Sequence, residues 1–313
     1  MEISICIVSW NVRRLLLKCL ESVRRELAET TGEAFVVDNA SRDGSAAAAA
    51  AAYPEFQHLP NDSNRGFAAA CNQAMRRARG RYILLLNPDA VLSPGCLAGM
   101  VAFLDRFPQA GGGGCRQLNP NGSLQPSVRT FPNLLSGLDQ FTVLGRLGIL
   151  RPWRRKYLAA GFDYSRAGRV EQPMGAALFL RRQAVENTGW MDEGYFLYFE
   201  EVDLCWRLAQ AGHPMYYNPA VFVTHYGGAS TEQAGAKAGA WLLYGYFRFL
   251  TTRYGPETAL RWRRRFAPLI RARLTLDLLT AKSQARRELK REFRDRYLER
   301  ILAGEYDPVA ESR

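Results

Sequence analysis

The sequence predicts an α/β protein with a mostly parallel β-sheet flanked by helices, followed by a helical C-terminal extension. In the first third of the 313-residue chain, short apolar runs alternate with segments of helical periodicity. Strands that alternate with helices favour parallel pairing through right-handed crossovers. Helical periodicity then dominates from Trp241 to about Leu302, with a break near residues 254–256. The composition, 47% hydrophobic and 23% charged, is ordinary for a globular protein.

The first elements alternate regularly along the chain. Apolar runs predict strands over residues 3–10, 34–39, 56–60 and 82–86. Helical spacing predicts helices over residues 14–29, 46–52, 66–78 and about 94–106. The second of these helices is an alanine run, which Asp43 or Ser45 would cap.

The middle of the chain has a weaker pattern. The four glycines at 111–114 lack the GxGxxG spacing and precede no helical pattern, so we do not expect a phosphate-binding loop there. The Asn121-Gly122 pair predicts a hairpin with arms at 116–118 and 123–125. Between Phe131 and about Arg169 regularity is lost, and residues 151–156 suggest a basic, aromatic loop. Two further strands are predicted at 174–182 and 215–225, and a helix at 200–212.

The composition and the N-terminal residues exclude several classes of protein. The six cysteines form no CxxC pair and no Cys/His cluster. This pattern indicates buried thiols in a reducing compartment rather than a disulfide framework or a zinc site. The first ten residues lack the basic region and cleavage site of a signal peptide, and no apolar run is long enough for a membrane span. We therefore expect a cytoplasmic protein.

The net charge of +12 is concentrated in the C-terminal region. Residues 253–300 contain fifteen Lys or Arg and six Asp or Glu, an excess of nine positive charges. Apolar side chains recur there every four residues, at Ala285, Leu289, Phe293, Tyr297 and Ile301. Either this stripe packs on the main domain and leaves a solvated basic face, or the basic helices attach the protein peripherally to anionic lipid at the inner face of the membrane. No recognised motif supports binding to nucleic acid.

Polar residues end three of the early predicted strands. They are Ser9 and Asn11, Asp38 and Asn39, and Asn87 and Asp89. Ligands of open parallel sheets bind at the carboxyl ends of the strands, so three such ends in succession indicate a binding edge. Asp38 and Asp43, with Asn39 and Ser41 between them, offer hydrogen-bond partners for a base and a ribose. Asp89 offers a hard oxygen ligand for Mg²⁺ or Mn²⁺ holding a diphosphate.

Six segments, taken in order, carry a family resemblance. They are ISICIVSWN, VVDNASRDGS, NRGFAAACNQAM, RYILLLNPDAVL, GWMDEGYFLYFEEVDLCWR and THYGGAS, within about residues 1–230. These segments resemble the motifs of family 2 glycosyltransferases, in particular the bacterial rhamnosyltransferase-type members that build surface polysaccharides. The resemblance implies a GT-A fold with a Rossmann-like mixed sheet, a nucleotide-sugar donor, a divalent cation (Mg²⁺ or Mn²⁺) and inversion at the anomeric carbon. We expect dTDP-L-rhamnose as donor and a saccharide or lipid-linked glycan as acceptor.

The resemblance also implies a donor and metal site. The metal-binding DxD motif of the family corresponds here to Asn87-Pro88-Asp89, which keeps only the last carboxylate. Asp89 is then the expected metal ligand, whereas the neutral Asn87 binds the cation weakly or contacts the donor instead. His225 is the expected additional ligand of the metal or the diphosphate. Gly66 belongs to a matched motif and is an expected donor-site residue.

Three carboxylates fall within four positions at the start of the predicted helix 200–212. Mutual repulsion and the apolar neighbours of Glu200, Glu201 and Asp203 should raise the pKa of at least one of them. Inverting transfer requires one carboxylate to accept the proton of the attacking hydroxyl. The family often has Glu-Asp at this point, which makes Glu201 the expected base, with Glu200 and Asp203 as alternatives. An acidic first helical turn that complements the helix dipole is the simpler interpretation.

The remaining candidates are expected on the acceptor side. Asp192 and Glu193 lie in a segment that resembles the acceptor loop of the family, although ordinary packing of its aromatic residues would explain the same pattern. Arg129 could meet either the diphosphate or the acceptor.

The expected organisation is a catalytic domain over residues 1–235 and a basic helical region over 236–313. The catalytic domain would consist of a nucleotide-binding half, 1–110, and an acceptor-binding half, 111–235. A sugar-phosphate nucleotidyltransferase uses a similar sheet, but the segment after the first strand lacks its glycine-rich phosphate loop. A non-catalytic scaffold or nucleotide-sugar-binding protein of the same fold is the second alternative.

Overall fold

The computed structural model describes residues 1–228 and 233–312 of the chain. The strands are β1 Ile3–Ser9, β2 Gly32–Asp38, β3 Gln57–Pro60, β4 Tyr82–Leu86, β5 Ala90–Leu92, β6 Gly112–Leu118, β7 Val128–Arg129, β8 Gly168–Val170, β9 Gln172–Pro173, β10 Ala177–Arg181 and β11 Met215–His225. The helices are α1 Arg13–Leu27, α2 Ser45–Ala52, α3 Phe67–Met75, α4 Cys96–Asp105, α5 Leu134–Phe141, α6 Val143–Arg146, α7 Arg151–Tyr157, α8 Arg182–Thr188, α9 Glu200–Gln210, α10 Ala236–Tyr254, α11 Pro256–Leu279, α12 Gln284–Phe293 and α13 Glu299–Ala303. A π-helical stretch, Arg294–Leu298, joins α12 to α13.

The described residues form one nine-stranded mixed sheet in the order β3-β2-β1-β4-β10-β6-β11-β5, with β8 paired to β11. Strands β1 to β4 are parallel, β10 runs antiparallel between β4 and β6, and β11 is parallel to β6. A separate two-stranded sheet pairs β7 with β9. The predicted α/β architecture with a helical C-terminal region is confirmed.

Helices cover both faces of the sheet, which explains why β1 is apolar at nearly every position. Ile5 and Ile7 pack in one buried cluster with residues of α1 and α4. Cys6 and Val8 point the other way, into a second cluster with residues of α3 and α9. A strand buried on both faces reads as a continuous apolar run, as the sequence of β1 does.

The predicted cap of α2 is wrong, because neither Asp43 nor Ser45 occupies the N-cap position. That position belongs to Gly44, whose φ of 79° is left-handed, and Ser45 is the first helical residue. Asp43 precedes the cap and its Oδ1 accepts from the backbone N–H of Ser45 at 3.0 Å.

The glycines at 112–114 lie inside β6 rather than in a loop, in agreement with the sequence analysis. A Cβ atom on Gly112 would lie 2.0 Å from the carbonyl oxygen of Phe179 on β10, so the close strand pairing requires glycine there. The hairpin at Asn121-Gly122 is also confirmed, since the Gln125 N–H donates to the Gln117 carbonyl at 2.9 Å.

The loop predicted for residues 151–156 is wrong, because these residues form the first turns of α7. Pro152 stands in the first turn of that helix, where its missing N–H would have had no partner. A proline read as a loop signal therefore begins a helix.

The C-terminal helices break where the sequence predicts. Helix α10 ends at Tyr254, Gly255 takes a φ of 83°, and Pro256 begins α11. In the predicted apolar stripe, Tyr297 and Ile301 are buried and Phe293 packs against the same core. This half of the stripe therefore packs on the protein.

A third buried cluster joins α10 and α11 to the segment that precedes α9. Tyr195, Phe196, Phe199 and Val202 belong to this cluster together with residues of the C-terminal helices. The contact is close because α10 carries Gly245 at this point. A Cβ atom there would lie 2.8 Å from the Tyr198 carbonyl oxygen. The position of residues 195–202 therefore depends on the C-terminal helices.

The cysteine prediction is confirmed, since all six thiols are free and buried. Among the described residues, every helix is too short or too polar to cross a lipid bilayer. Ala229 and Ser230, the end of the last motif named above, lie outside the described residues.

Gly245→Ala should destabilise the protein by about 1–3 kcal/mol, because its methyl group meets the Tyr198 carbonyl at 2.8 Å. Gly239→Ala on the same helix is the control, since its methyl would lie 3.5 Å from Phe293, an ordinary contact. Because alanine has a higher helix propensity than glycine, the free energy of unfolding of that variant should stay unchanged or rise by up to about 1 kcal/mol. Urea denaturation of both variants measures the difference, and equal stabilities would contradict the tight packing at Gly245.

Candidate active site

A cavity of about 300 Å³ opens at the carboxyl ends of β1, β2 and β4. Seven of the residues predicted from the sequence line it: Asn39, Gly66, Asn87, Asp89, Glu200, Glu201 and His225. They come from five separate parts of the chain, and the fold brings them to one edge of the sheet. This convergence is what the polar strand ends predict.

The turn after β4 explains the residues Asn87-Pro88-Asp89. Its closing hydrogen bond runs from the Ala90 N–H to the Asn87 carbonyl at 3.0 Å. Pro88 lies inside the turn, where no N–H is needed. The chain then reverses into β5, which pairs antiparallel with the end of β11, so that Ala90 lies opposite His225. The Tyr226 N–H also donates to the Asp89 carbonyl at 3.0 Å. This ladder sets Asp89 beside His225.

Asp89 and His225 lie side by side at the cavity. Asp89 Oδ1 lies 3.3 Å from His225 Nε2. His225 Nδ1 lies 2.8 Å from Gln125 Oε1, an oxygen that only accepts, so a tautomer with its proton on Nδ1 satisfies this contact and would present the Nε2 lone pair to a cation. Metal-binding histidines usually donate their second N–H in this way. The amide Nδ2 of Asn87 lies 3.5 Å from the same Nε2.

The pair fits part of a divalent cation site. Among residues 1–228 and 233–312, no group of three or more His, Cys, Asp or Glu side chains is arranged to hold a metal. One carboxylate oxygen and one imidazole nitrogen would leave further positions for the oxygens of a bound ligand. The donor set therefore suits a cation shared with a diphosphate.

Two buried oxygens at the ends of β1 and β2 lack hydrogen-bond partners among the described residues. They are Ser9 Oγ and Asp38 Oδ1, and neither residue lines the cavity. The second oxygen of Asp38 accepts from the Ser41 N–H at 2.9 Å. Because unpartnered buried oxygens are uncommon, these two are candidates for contact with a ligand or with water.

Asn39 lines the cavity, but its amide is used within the protein. Nδ2 donates to Asn64 Oδ1 at 2.7 Å, and Oδ1 accepts from the Arg65 N–H at 3.0 Å. Asn39 thereby fixes the turn that leads into α3 through Gly66. A Cβ atom on Gly66 would lie 2.7 Å from the Phe196 carbonyl, so this turn packs directly on the segment before α9.

Asn11, Ser41 and Asp43 do not line the cavity and instead tie two loops together. The Asn11 N–H donates to Ser41 Oγ at 2.9 Å, and the Arg13 N–H donates to Asp43 Oδ2 at 2.8 Å. These bonds join the loop after β1 to the loop after β2. The three side chains thus shape the edge of the site from outside it.

The turn before α9 is strained. Tyr198 and Phe199 take φ values of 71° and 73°, in the left-handed region that bulky residues avoid. Each costs about 1–2 kcal/mol. The turn directs the first residues of α9, Glu200 and Glu201, into the cavity. Backbone strain of this kind concentrates at functional sites.

The two glutamates are held in a dry environment. Burial, and then the charge of Glu201, raises the pKa of the Glu200 carboxyl well above its usual value. Burial also raises the pKa of Glu201. One oxygen of each, Oε2, has no hydrogen-bond partner among the described residues. Glu200 is only 4% exposed whereas Glu201 is half-buried, so the pair keeps a proton on Glu200 more readily than on Glu201.

Asp203 turns away from the glutamates. Its Oδ2 accepts from Arg207 Nε at 2.7 Å, and the same guanidinium donates to the backbone carbonyls of Gly189 and Trp190. Burial raises the pKa of Asp203, and Arg207 opposes that effect. Asp203 does not line the cavity and anchors the loop between α8 and α9.

The side chains predicted to face the acceptor are paired elsewhere. Asp192 makes two 2.8 Å hydrogen bonds with Arg248 of α10. Glu193 Oε1 accepts from Asn72 at 2.9 Å and from Arg76 at 3.1 Å. Arg129 donates to the Val128 carbonyl at 2.8 Å. None of the three lines the cavity.

Sequence reasoning missed the aromatic walls of the cavity. Trp10, Phe196 and Trp241 line it, and the rings of Phe196 and Trp241 lie 4.6 Å apart. Trp10 directly follows β1, so its position at a strand end could have identified it as a site residue, as it did for the polar residues. Gln125, which orients His225, offers no signal in its own sequence neighbourhood, because the contact spans 100 residues.

Comparisons of the sequence identify relatives. Residues 4–162 match the model of Glycosyl transferase family 2. The N-acetylglucosaminyl-diphospho-decaprenol L-rhamnosyltransferase of Mycobacterium tuberculosis is 31% identical over 273 residues, which cover 82% of this chain and 87% of that protein. Rhamnosyltransferase WbbL of Escherichia coli is 30% identical over 186 residues, 58% of this chain and 66% of WbbL.

Comparisons of the fold identify solved structures. The mannosyltransferase PcManGT from Pyrobaculum calidifontis, in complex with GDP-Man and Mn²⁺, superposes with a TM-score of 0.55 at 17% identity, covering 97% of this chain and 85% of that one. TarS 1–349 of S. aureus in complex with UDP gives a TM-score of 0.52 at 12% identity, covering 97% and 90%. These similarities confirm the predicted GT-A fold.

Glu200→Gln should stabilise the protein at alkaline pH. Because burial raises the pKa of Glu200, its ionisation opposes folding once the pH exceeds the unfolded value of about 4.3. Wild-type Tm should therefore fall relative to the variant as the pH rises above about 5, and the two should converge at acid pH. The control is Glu288→Gln, an exposed position on α12. Parallel Tm profiles of wild type and Glu200→Gln would contradict a buried, protonated Glu200.

Proposed function

The chain belongs to glycosyl transferase family 2, and we propose that it transfers L-rhamnose from dTDP-L-rhamnose to a lipid-linked glycan, with inversion, in surface polysaccharide synthesis. The observation that carries the proposal is the cavity in which the Asp89–His225 pair and two buried glutamates meet. Two rhamnosyltransferase relatives support the sugar, and the name of the mycobacterial relative supports the acceptor class. Family membership leaves the nucleotidyltransferase alternative without support.

The donor nucleotide would lie along the ends of β1 and β2. Ser9 Oγ and Asp38 Oδ1 are the buried oxygens available to its ribose or base. Asn39 and Gly66 would shape the wall, and the ring of Trp10 offers an apolar surface for a planar group. In this arrangement the network of Asn11, Ser41 and Asp43 has a positioning role.

Asp89 and His225 would hold the divalent cation, Mg²⁺ or Mn²⁺, with Asn87 beside them. When bound, the cation neutralises charge on the departing diphosphate. With its proton on Nδ1, beside Gln125 Oε1, His225 would offer the Nε2 lone pair to the cation.

Glu201 is the proposed base. The acceptor hydroxyl oxygen attacks the anomeric carbon from the face opposite the diphosphate, and the bond from that carbon to the phosphate oxygen breaks. The hydroxyl proton passes to the ionised Glu201, which lines the cavity and whose Oε2 has no hydrogen-bond partner among the described residues. Glu200, which keeps its proton, prevents a second negative charge beside the base. Arg207 holds Asp203 away from this step.

The acceptor would approach from the side of α7. The pKa of the Tyr157 hydroxyl, at the end of that helix, is raised by burial and then by the charge of Glu201, and is lowered by Arg129. The N–H of Thr130, the neighbour of Arg129, donates to the Tyr157 carbonyl at 3.0 Å, which supports Arg129 as a residue of this side. Asp192 and Glu193 would act as supports, since both carboxylates are paired. A lipid-linked acceptor would also require peripheral contact between the basic C-terminal half and the inner face of the membrane.

Glu201→Gln should lower kcat by about two to four orders of magnitude, because no ionised group would accept the hydroxyl proton. Asp203→Asn should leave kcat nearly unchanged while costing about 1–3 kcal/mol of stability through its lost bonds to Arg207. Release of dTDP from dTDP-L-rhamnose with an N-acetylglucosaminyl-diphospho-lipid acceptor measures turnover. A Glu201→Gln variant with wild-type kcat would remove Glu201 from the base role.

Asp89→Asn should abolish stabilisation by dTDP that depends on Mn²⁺ or Mg²⁺, because the carboxylate ligand is lost. Differential scanning fluorimetry with dTDP, with and without the cation, measures it. Asp163→Asn, an exposed position outside the cavity, is the matched control. Equal metal-dependent shifts in wild type and Asp89→Asn would show that the cation binds elsewhere. A flat response to every nucleotide sugar would favour the non-catalytic alternative.

A further inference from the structure

We propose that the protein docks on anionic membranes through an apolar corner formed by Leu147, Ile149, Trp153 and Leu279, surrounded by basic side chains. Trp153 belongs to the basic, aromatic stretch 151–156, and Leu147 and Ile149 come shortly before it in the chain. The choice of a lipid bilayer as the partner rests on the proposed lipid-linked acceptor. The corner itself is defined by exposure, contacts and charge.

The apolar side chains of the corner are unusually exposed. Leu279 is 75% exposed, Leu147 62% and Ile149 60%, the three highest values among the large apolar residues that the structure describes. Trp153 is 39% exposed. One exposed leucine is ordinary on a protein surface, but a group of them marks an interaction site.

Direct contacts bring the two chain segments together. Arg146 Nε lies 3.4 Å from Asp277 Oδ1, and another nitrogen of its guanidinium donates to Thr280 Oγ1 at 3.0 Å. Leu147 follows Arg146 in the chain, and Leu279 lies between Asp277 and Thr280. The end of α6 and the end of α11 therefore lie side by side, and an exposed leucine stands at each of them. The left-handed Gly148, with a φ of 74°, turns the chain between Leu147 and Ile149.

The charge around the corner is positive. Residues 140–162 contain five basic side chains and no Asp or Glu: Arg146, Arg151, Arg154, Arg155 and Lys156. Two of them face aspartates outside this range, Arg146 at 3.4 Å from Asp277 and Arg154 at 4.0 Å from Asp139, and the surface keeps an excess of positive charge. Residues 279–287 add Lys282, Arg286 and Arg287, again without an acidic residue. Residues 151–156 and 282–287 are exposed. A basic residue near an anionic bilayer strengthens association by about fivefold, so this surface suits negatively charged lipid headgroups.

The corner differs from the contact surface expected from the sequence. The periodic stripe of the last helices directs Phe293, Tyr297 and Ile301 into the protein core, where they are unavailable to lipid. The loop after α6 and the end of α11 instead expose their apolar side chains within a basic rim. Apolar tips in such a rim can insert among headgroups while the charges hold the surface.

The position of the corner fits delivery of a membrane-bound acceptor. Helix α7 carries Trp153 near its start and Tyr157 at its end. Four residues of helix span about 6 Å. The Tyr157 carbonyl accepts from the Thr130 N–H at 3.0 Å, so the same short helix joins the corner to the segment of Arg129, the proposed acceptor-side residue. A glycan held at the bilayer surface would meet the cavity from this side.

Vesicle cosedimentation of the full chain, without donor or acceptor, tests the proposal. Wild type should bind equimolar phosphatidylcholine–phosphatidylglycerol vesicles and release with salt, and should bind phosphatidylcholine alone much more weakly. Ile149→Glu and Leu279→Glu should each weaken binding by about tenfold or more, as expected for one apolar side chain kept from lipid.

Leu260→Glu is the matched control, since Leu260 is 42% exposed and lies on α11 with Leu279. Nineteen residues separate the two, about 28 Å along the helix, and the substitution adds the same charge. Its binding should equal wild type. Equal losses in all three variants, or none in Ile149→Glu and Leu279→Glu, would overturn the proposal. Failure of wild type to bind the anionic vesicles would do the same.

Tryptophan fluorescence gives a second readout. Binding to the anionic vesicles should shift the emission to shorter wavelength, and Trp153→Phe should remove that shift without lowering Tm. A shift that persists in Trp153→Phe would place another tryptophan at the lipid and overturn the corner. Because these assays involve no transfer, vesicle binding without rhamnosyl transfer would reject the proposed function and keep the docking surface. Transfer without binding would reject only the surface.

Discussion

The structure of the site depends on keeping two adjacent glutamates dry at the edge of a water-accessible cavity. Glu200 and Glu201 begin α9 after two aromatic residues in left-handed conformations. Neither the strain nor the burial is favourable by itself, so neighbouring structure has to stabilise both. The aromatic cluster of α10 and α11 does so, since Phe199 is buried in it and Gly245 lets α10 approach the strained turn. The free energy of packing there offsets the cost of an activated carboxylate.

The part of the cavity that carries Asp89 and His225 is held by hydrogen bonding rather than by apolar packing. The reversal at Pro88 makes β5 an antiparallel partner of β11, and the register of that ladder sets Asp89 beside His225. Gln125, from the hairpin after β6, contacts His225 Nδ1 at 2.8 Å and holds the ring in place. The metal-side groups thus sit on strands, whereas the base sits on a helix start supported by distant helices. A destabilised C-terminal region would therefore disturb the carboxylates before it disturbed the metal side.

The sequence predicted well whatever depends on local pattern. Strands β4 and β11 begin and end at the predicted residues, and the polar strand ends meet at one edge because parallel strands share a direction. The hydrogen-bond partners that lie far away in the sequence could not be predicted. Asp192 looked available for an acceptor, yet Arg248, 56 residues away, pairs with it. Asn39 looked available for a ribose, yet its amide holds the turn before α3. The local sequence pattern identifies polar side chains at strand ends and in loops. It does not show which of them form hydrogen bonds or ion pairs with distant residues.

The packing of the C-terminal helices changes how they can be understood. A basic, helical region after residue 235 suggests an appended membrane tether that could be removed. Phe199 and Val202 from the segment around the glutamates, however, share a buried cluster with Tyr246 and Phe266 of α10 and α11. Removing those helices would expose this cluster and release the strained turn, so lost activity after truncation would say nothing about membranes. Single substitutions at exposed positions such as Leu279 separate the two roles, because that side chain touches solvent while the opposite face of its helix supports the site.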